Sequence, residues 1–511
     1  MAFPRDYNAA ADFLGRNLEA GRADKPAFID PERSLTYGEL AAESNRLGNL
    51  LAAEGLGREA RVAMIVLDTW DFPVIFWGAI QAGVIPVALN TLLNAEQYRY
   101  ILADSRAEAL FVSAPLLPTV APILEELGDI RRVFVVGGEA GPHQDFRAAL
   151  AAQSDAFTPA ATCADETAFW LYSSGSTGMP KGVRHVHSSL METAVLYGQG
   201  VLGIREDDVV YSAAKLFFAY GLGNGMSFPM SVGATTVLLP VRPTPAAVFE
   251  VLKANQPSIF YGVPTLYAAI LADPDCTPEN GSARLRACVS AGEALPEEVG
   301  KAWKARFGVD ILDGVGSTEM LHIFLSNSPG EVRYGFSGKA VPGYDLRLVE
   351  EDGTAVAPGE IGELLVRGPS AAEGYWNQRA KSRRTFEGEW TRTGDKFTCD
   401  AEGVYLYCGR TDDMFKVSGI WVSPFEVESA LMSHEAVLEA AVVPAEDEEG
   451  LLKPKAYVVL KEAGGGAGLT EALQALVKDK AGPWKYPRWI DYVTDLPKTA
   501  TGKVQRFKLR G

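Results

Sequence analysis

Short apolar runs such as Val62 to Val66 and Thr236 to Leu239 alternate with stretches of helical character through the first 400 residues. Uninterrupted runs of this length suit buried strands, and their alternation with helices predicts an α/β architecture of covered sheets. The stretch Thr244 to Asn255 carries its own start signal. Thr244 can accept from a free amide of the first turn, and Pro245 suits a position whose N–H would have no helical partner. After about Gly409 the texture changes to a compact block with strands, one well-marked helix and a glycine-rich stretch, Gly464 to Gly468. In that helix Ser423 is the expected cap, Pro424 fills the first turn, Glu426 completes a Ser-x-x-Glu capping box, and Val427 and Leu431 lie one turn apart. The block has the size of a small C-terminal domain.

The 511 residues exceed what one core organises, so several structural units are expected. Hydrophobic residues make up 47% and charged residues 22%, a globular composition far from the disordered class. A net charge of −17 argues against nucleic acid as a partner. It also requires any phosphate site to be assembled locally from amides, lysines, arginines and metal. The five cysteines, Cys163, Cys276, Cys288, Cys399 and Cys408, are scattered, odd in number and without metal spacing, which points to a reducing cytoplasm. Neither a signal core nor a membrane-length apolar run is present, so no membrane partner is expected. Repeats and low-complexity tails are absent, and no surface stripe marks an interface; a homodimer is admitted but not specified.

The segment Tyr172-Ser-Ser-Gly-Ser-Thr-Gly-Met-Pro-Lys-Gly182 follows the strand-like Thr167 to Leu171 and concentrates small residues, hydroxyls and one lysine. Small residues let backbone amides approach an anion. Ser173, Ser174, Ser176 and Thr177 add donors beside Gly175 and Gly178, and Lys181 adds charge for the outer phosphates of a nucleotide. The spacing is not that of a Walker loop, because Gly182 follows the lysine where Ser or Thr belongs. A Gly/Ser linker has similar composition, but this segment lies between a buried-looking strand and Val183 to Val186 inside the core region, whereas linkers separate domains.

Further motifs follow in order: Leu35-Thr-Tyr-Gly-Glu-Leu40, Gln81-Ala-Gly-Val-Ile-Pro86, Ser290-Ala-Gly-Glu-Ala294, Gly316-Ser-Thr-Glu319, Trp390-Thr-Arg-Thr-Gly-Asp395, Gly409-Arg-Thr-Asp-Asp413, Val417-Ser-Gly419, Pro424-Phe-Glu-Val-Glu428 and Pro497-Lys-Thr-Ala-Thr-Gly-Lys503. Together with the loop they make the chain resemble the adenylate-forming superfamily of acyl-CoA and aryl-CoA ligases, luciferases and peptide-synthetase adenylation domains. The resemblance spans nearly the whole chain. It implies a large N-terminal domain of several subdomains, with covered sheets and a β-barrel-like part (residues 1–411), and a small mobile α+β domain (412–511) hinged at Asp412.

The resemblance also implies ATP, Mg2+ and coenzyme A as reactants or cofactors. Adenine would lie against Ala291, Gly292 and Glu293 and against Asp313, Gly314, Gly316 and Thr318, where small residues expose backbone to a flat ring. Glu319 and Thr177 would hold Mg2+, which prefers one or two carboxylates with phosphate oxygens and water. Asp395, in a Thr-Gly-Asp turn, can accept from both ribose hydroxyls, and Arg410 would bracket the sugar. Lys503 would reach between the acid and the α-phosphate when the small domain closes, joining Thr177 and Glu319 as catalytic residues. Ser418 and Gly419 would line the coenzyme A passage, where a side chain at 419 would obstruct the arm.

For the acid, Lys215-Leu-Phe-Phe-Ala-Tyr-Gly-Leu-Gly-Asn224 holds three aromatic residues and no carboxylate, so an ammonium-bearing substrate has no partner there. This segment, with Asp313 to Phe324 and Gly419 to Pro424, resembles benzoate-CoA ligases in particular. The expected pocket is Ala219, Tyr220, Val315, Gly316 and His322, closed on one face by Ala291 and Gly292; a valine at 315 leaves room for a ring substituent. The expected activity is formation of an acyl-adenylate from a small aromatic acid, then of the CoA thioester, releasing AMP and pyrophosphate. Alternatives are a stand-alone enzyme that loads a carrier-protein phosphopantetheine, a ligase for cyclic or short aliphatic acids, and a nucleotide sensor without catalysis.

Overall fold

The computed structural model describes residues 3–175, 178–417, 420–448, 451–462, 466–498 and 504–510. Two large sheets, drawn from strands up to Gly374–Tyr375, have mostly parallel interiors; the nine-stranded sheet is antiparallel at both edges and the eight-stranded sheet at one edge only. In the nine-stranded sheet Val209–Ser212, Ile259–Gly262, Ala287–Ala291 and Ile311–Gly316 run parallel side by side. Ile259–Gly262 and Ala287–Ala291 are buried at every position, as covered parallel strands require. The expected strand at Val62 to Val66 is Arg61–Ile65, in the eight-stranded sheet, and Thr236 to Leu239 is Thr235–Val237, each shifted by one or two residues.

The helix Pro245–Asn255 begins as expected, with Thr244 Oγ1 accepting from the Ala247 amide at 3.3 Å. Helix Asp71–Gln81 is buried along its whole length within the main apolar core, the pattern of a helix enclosed on all sides. Where a barrel-like part is expected stands a five-stranded antiparallel sheet that includes Asp345–Val349, Gly362–Arg367, Trp390–Cys399 and Tyr405–Arg410, with no pairing among the described strands that closes it.

The C-terminal block has its own core, in which Val427 and Leu431 of helix Pro424–Met432 pack with Val442, Val458, Leu473 and Val477. Its three-stranded sheet is Val437–Glu446, Leu452–Leu460 and Trp489–Tyr492. The cap at Ser423 forms, its side chain accepting from the Glu426 amide at 3.1 Å. The reciprocal arm of the capping box does not: the Glu426 carboxylate takes the Lys485 ammonium at 2.6 Å instead. A charged partner from 59 residues away outcompetes one backbone amide, a choice that the local pattern does not record.

Candidate active site

The serine- and glycine-rich segment is the tip of a hairpin, not a free loop. Strand Thr167–Gly175 pairs antiparallel with Gly178–Val186, and Ser173 lies opposite Lys181. Pairing thus extends further into the segment than its composition suggests. Ser173 Oγ is buried without a protein partner, a donor available to an anion. Ser174, Gly175 and Gly178 belong to these strands by their backbone, and Ser176 and Thr177 lie outside the described residues.

Lys181 emerges from the hairpin into a buried cluster. Its Nζ lies 3.5 Å from Glu319 Oε1 and 3.3 Å from the Tyr375 hydroxyl, and 4.4 Å from the centre of the Tyr375 ring. The Tyr375 hydroxyl donates to the same Glu319 oxygen at 2.8 Å. Burial pushes the Glu319 carboxyl up, but the Lys181 ammonium and the Tyr375 hydroxyl outweigh it and hold the group below its ordinary range. Glu319 is therefore ionised inside a nearly closed site. Both of these side-chain contacts fall on Oε1, so the donor set fits a cation that takes one carboxylate and is otherwise held by phosphate and water. Among the described residues no group of three or more metal-ligating His, Cys, Asp or Glu side chains exists.

Two residues that the sequence reading passed over complete this corner. Tyr375 arrives through the two-residue strand Gly374–Tyr375, which pairs with Gly178–Val186. His185 is fully buried, and its Nε2 lies 2.8 Å from the Thr318 carbonyl. A carbonyl only accepts, so Nε2 carries the proton, and burial pushes the imidazole down to about 4 and keeps it neutral. It fixes the backbone one residue before Glu319.

The expected adenine-side residues lie at the carboxyl ends of the parallel strands, where open α/β sheets bind ligands. Ala291 closes strand Ala287–Ala291, and Gly292 follows at φ +94°, a conformation that a side chain would strain. Glu293 is half-buried. Asp313 and Gly314 lie in strand Ile311–Gly316; Asp313 is buried with Oδ1 unpartnered, and burial pushes its carboxyl well up. Gly316 sits at a bulge, where a Cβ would come within 2.6 Å of the His322 carbonyl.

Asp395 and Arg410 face each other in register and form an ion pair at 3.1 Å. The expected Thr-Gly-Asp turn is instead a bulge inside strand Trp390–Cys399, with Gly394 at φ +71° and the Thr393 hydroxyl accepting from the Asp395 amide. The composition of a tight turn and that of a bulge are the same, because both need a glycine in the left-handed region. Asp412 is exposed, and its carbonyl accepts from Arg510 at 3.1 Å. Ser418, Gly419 and Lys503 lie outside the described residues.

The expected acid pocket is brought together around His322. Ala219 and Tyr220 open the short helix Ala219–Leu222, and the Tyr220 hydroxyl donates to the carbonyls of Gly262 and Val289 at 3.2 and 3.1 Å. His322 Nε2 lies 3.0 Å from Asn224 Oδ1 and 3.3 Å from the Tyr220 carbonyl, while Nδ1 is buried without a partner. Burial pushes this imidazole down to about 3, so it is neutral. Its ring sits among Phe228, Tyr197 and Tyr220 at 4.4, 5.5 and 5.7 Å between centroids. Gly223 leaves the space: a Cβ there would approach His322 Cδ2 to 2.4 Å. Half-buried Val315 packs against the same core. One segment joins the two corners, since Glu319 and His322 are three residues apart and Leu321 between them holds φ +66°.

Known proteins resemble this chain over nearly its whole length. The AMP-binding enzyme family matches residues 16–376, and the AMP-binding enzyme C-terminal domain matches 426–503. A benzoate–CoA ligase of Thauera aromatica is 60% identical over 100% of this chain and 97% of its own length. A 4-hydroxybenzoate–CoA/benzoate–CoA ligase of Rhodopseudomonas palustris is 58% identical, over 99% and 94%. Among solved structures, the anthranilate CoA ligase AuaEII in complex with anthranoyl-AMP superposes with a TM-score of 0.95 at 44% identity, covering 99% of this chain and 97% of that one. A benzoate CoA ligase from Burkholderia xenovorans LB400 gives 0.92 at 50%, covering 99% and 100%. On the family match, the end-to-end relatives and the shared fold, the chain belongs to the family of AMP-binding, adenylate-forming enzymes.

Proposed function

We propose that this enzyme is an ATP-dependent acid–CoA ligase whose acid is benzoate or a close relative. The observation that carries the reading is the buried Lys181–Glu319–Tyr375 cluster at the base of the serine- and glycine-rich hairpin, a preformed seat for phosphates in a chain of strong net negative charge. The relatives that are benzoate–CoA ligases, aligned end to end, support the acid and the thiol.

In the first half-reaction a carboxylate oxygen attacks the α-phosphorus and pyrophosphate leaves. Ser173, the hairpin amides and Lys181 hold the outer phosphates, and Lys503 spans the carboxylate and the α-phosphate. Mg2+, held by Glu319 and Thr177, would neutralise phosphate charge. Adenine lies against Ala291 to Glu293 and Asp313 to Gly316, with the unpartnered Asp313 Oδ1 available to its amino group. Thr318 is held in this wall by His185. Asp395 accepts from the ribose, and its pairing with Arg410 orients the carboxylate. The acid's ring enters between Ala219, Tyr220, Val315, Gly316 and His322. All are uncharged, which suits an arene and offers an ammonium nothing. In the second half-reaction residues 412–511 turn about Asp412, Gly419 and Ser418 line the pantetheine arm, and the thiolate displaces AMP.

The five cysteines are free, which supports a reducing, cytoplasmic setting. No helix among the described residues is long and apolar enough to cross a membrane. A homodimer is required by no step.

The test is a panel of benzoate, hydroxybenzoates, aminobenzoates, cyclohexanecarboxylate and short fatty acids with ATP, Mg2+ and either coenzyme A or a phosphopantetheinylated carrier protein, read by mass spectrometry. The expected products are benzoyl-CoA and AMP. A thioester on the carrier alone, or an aliphatic acid preferred over every arene, would overturn the assignment.

A further inference from the structure

The short helix Arg379–Thr385 carries Arg379, Lys381, Arg383 and Arg384 and no acid. Most cations of this acidic protein are paired, yet among the described residues none of these four forms an ion pair. Like charges three and four residues apart on a helix repel, so the run costs stability unless an anion answers it. The helix presents two basic faces. Arg379 and Arg383, one turn apart, line an open cavity of about 460 Å³ with Arg184, Glu373 and Tyr375. Lys381 is half-buried on another face; burial first, then the positive charges of Lys181 and Arg384, hold its ammonium below the ordinary range, while Glu319 opposes them.

Tyr375 physically joins the two places. Its hydroxyl meets Glu319 and Lys181, it lies 3.4 Å from Thr385 Oγ1, and its amide donates to Ser382 Oγ at 3.0 Å. The helix is thus fastened to the edge strand that pairs with the hairpin.

We propose that this helix is a second anion site, which binds inorganic pyrophosphate on its way out: Arg379, Arg383 and Arg184 hold it at the cavity that Tyr375 joins to the Lys181 cluster, and Lys381 and Arg384 add positive charge along the same helix. The inference rests on the adenylate reading above. When the carboxylate oxygen bonds to the α-phosphorus, the bond from that phosphorus to the bridging oxygen breaks, and the electron pair departs with pyrophosphate. In reverse, a pyrophosphate oxygen attacks the α-phosphorus of the acyl-adenylate, the carboxylate leaves, and ATP and free acid form. Incoming pyrophosphate must use the same path. Exposed ion pairs are individually weak and screened by salt, which suits a site that passes a product on without trapping it.

The experiment is ATP–pyrophosphate exchange with benzoate, comparing the wild type with the triple variant Arg379→Ala, Arg383→Ala, Arg384→Ala, with the corresponding triple lysine variant, and with Glu373→Gln. The alanine variant is expected to raise the pyrophosphate KM about tenfold while the forward ATP KM stays within about twofold. The lysine variant restores the wild-type value. Glu373→Gln removes a negative charge from the cavity wall and lowers the pyrophosphate KM. Both shifts shrink on the order of 0.5 M salt. An unchanged pyrophosphate KM in the folded alanine variant overturns the proposal. So does a parallel rise of the ATP and pyrophosphate KM values, which would assign the arginines to ATP itself, or a lysine variant as impaired as the alanine one. Calorimetric titration of inorganic pyrophosphate into wild type and alanine variant reads the site without any acid. Binding that is lost in the variant, with no exchange on any carboxylate, sustains the helix and removes the adenylate reading instead.

Discussion

The two corners of the site are built on opposite principles. Around Lys181, Glu319 and Tyr375 charge is concentrated, partly neutralised internally and left with capacity for phosphate. Around His322 every group is neutral: a buried imidazole tied to Asn224 and packed among three aromatic rings, with glycine leaving its space. The first corner acts through field and donors, which tolerate little chemical change. The second acts through shape, so its selectivity is a sum of small steric terms, each worth about 1–3 kcal/mol.

This contrast can be broken most severely at Lys503. Lys503→Ala should lower adenylate formation by a factor on the order of 10³ while sparing thioester formation from supplied benzoyl-adenylate, measured as single turnovers. Equal losses in both assays would remove Lys503 from the first half-reaction. Glu319→Gln follows, with a loss of about 100-fold in adenylation that extra Mg2+ only partly restores, and with little change in the KM for the acid. If the acid KM rises instead, the charged corner is not separate from the neutral one. Gly223→Ala tests the other side: the new Cβ displaces His322, and the KM for benzoate should rise about tenfold with the KM for ATP unaffected. Combined with Glu319→Gln its effect should add; strong coupling would show that the shared Gly316 to His322 segment transmits between the corners.

The smallest effect expected is on stability. His185, His187 and His322 have folded-state values pushed down by burial to about 4, about 4 and about 3. Their contribution is therefore fully present above the ordinary histidine range and is lost as pH falls toward 4, because the unfolded chain binds protons that the folded one refuses. Buried Asp68, pushed up to about 6, and buried Asp313, pushed well up, work against this trend. The melting temperature should fall from pH 7 to pH 5, and His185→Gln should flatten that fall; an unchanged slope would contradict a neutral, buried His185.

Much of this was legible in the sequence where the signal is local. The Thr244 cap, the helix it starts and the strand at 61–65 depend on neighbours within a few positions. The phosphate hairpin was recognisable because glycines, hydroxyls and a lysine occur together, although its pairing through Gly175 was not. What was illegible depends on distant partners. Glu426 leaves its capping box for Lys485, the Thr-Gly-Asp turn becomes a bulge because two flanking strands continue past it, and Tyr375 reaches Glu319 only because Gly374 lies opposite Arg184. His185 carries no chemical signature that sets it apart from the nearby His187; its role comes from the Thr318 carbonyl.

The central claim is tested most directly by mixing the enzyme with ATP, Mg2+ and benzoate in the absence of coenzyme A, quenching, and identifying the bound species by mass spectrometry. The account predicts one benzoyl-adenylate per active site with an equal amount of pyrophosphate, converted to benzoyl-CoA and AMP when coenzyme A is added. Release of ADP and phosphate, or no adenylate with benzoate or any other carboxylate, would contradict it.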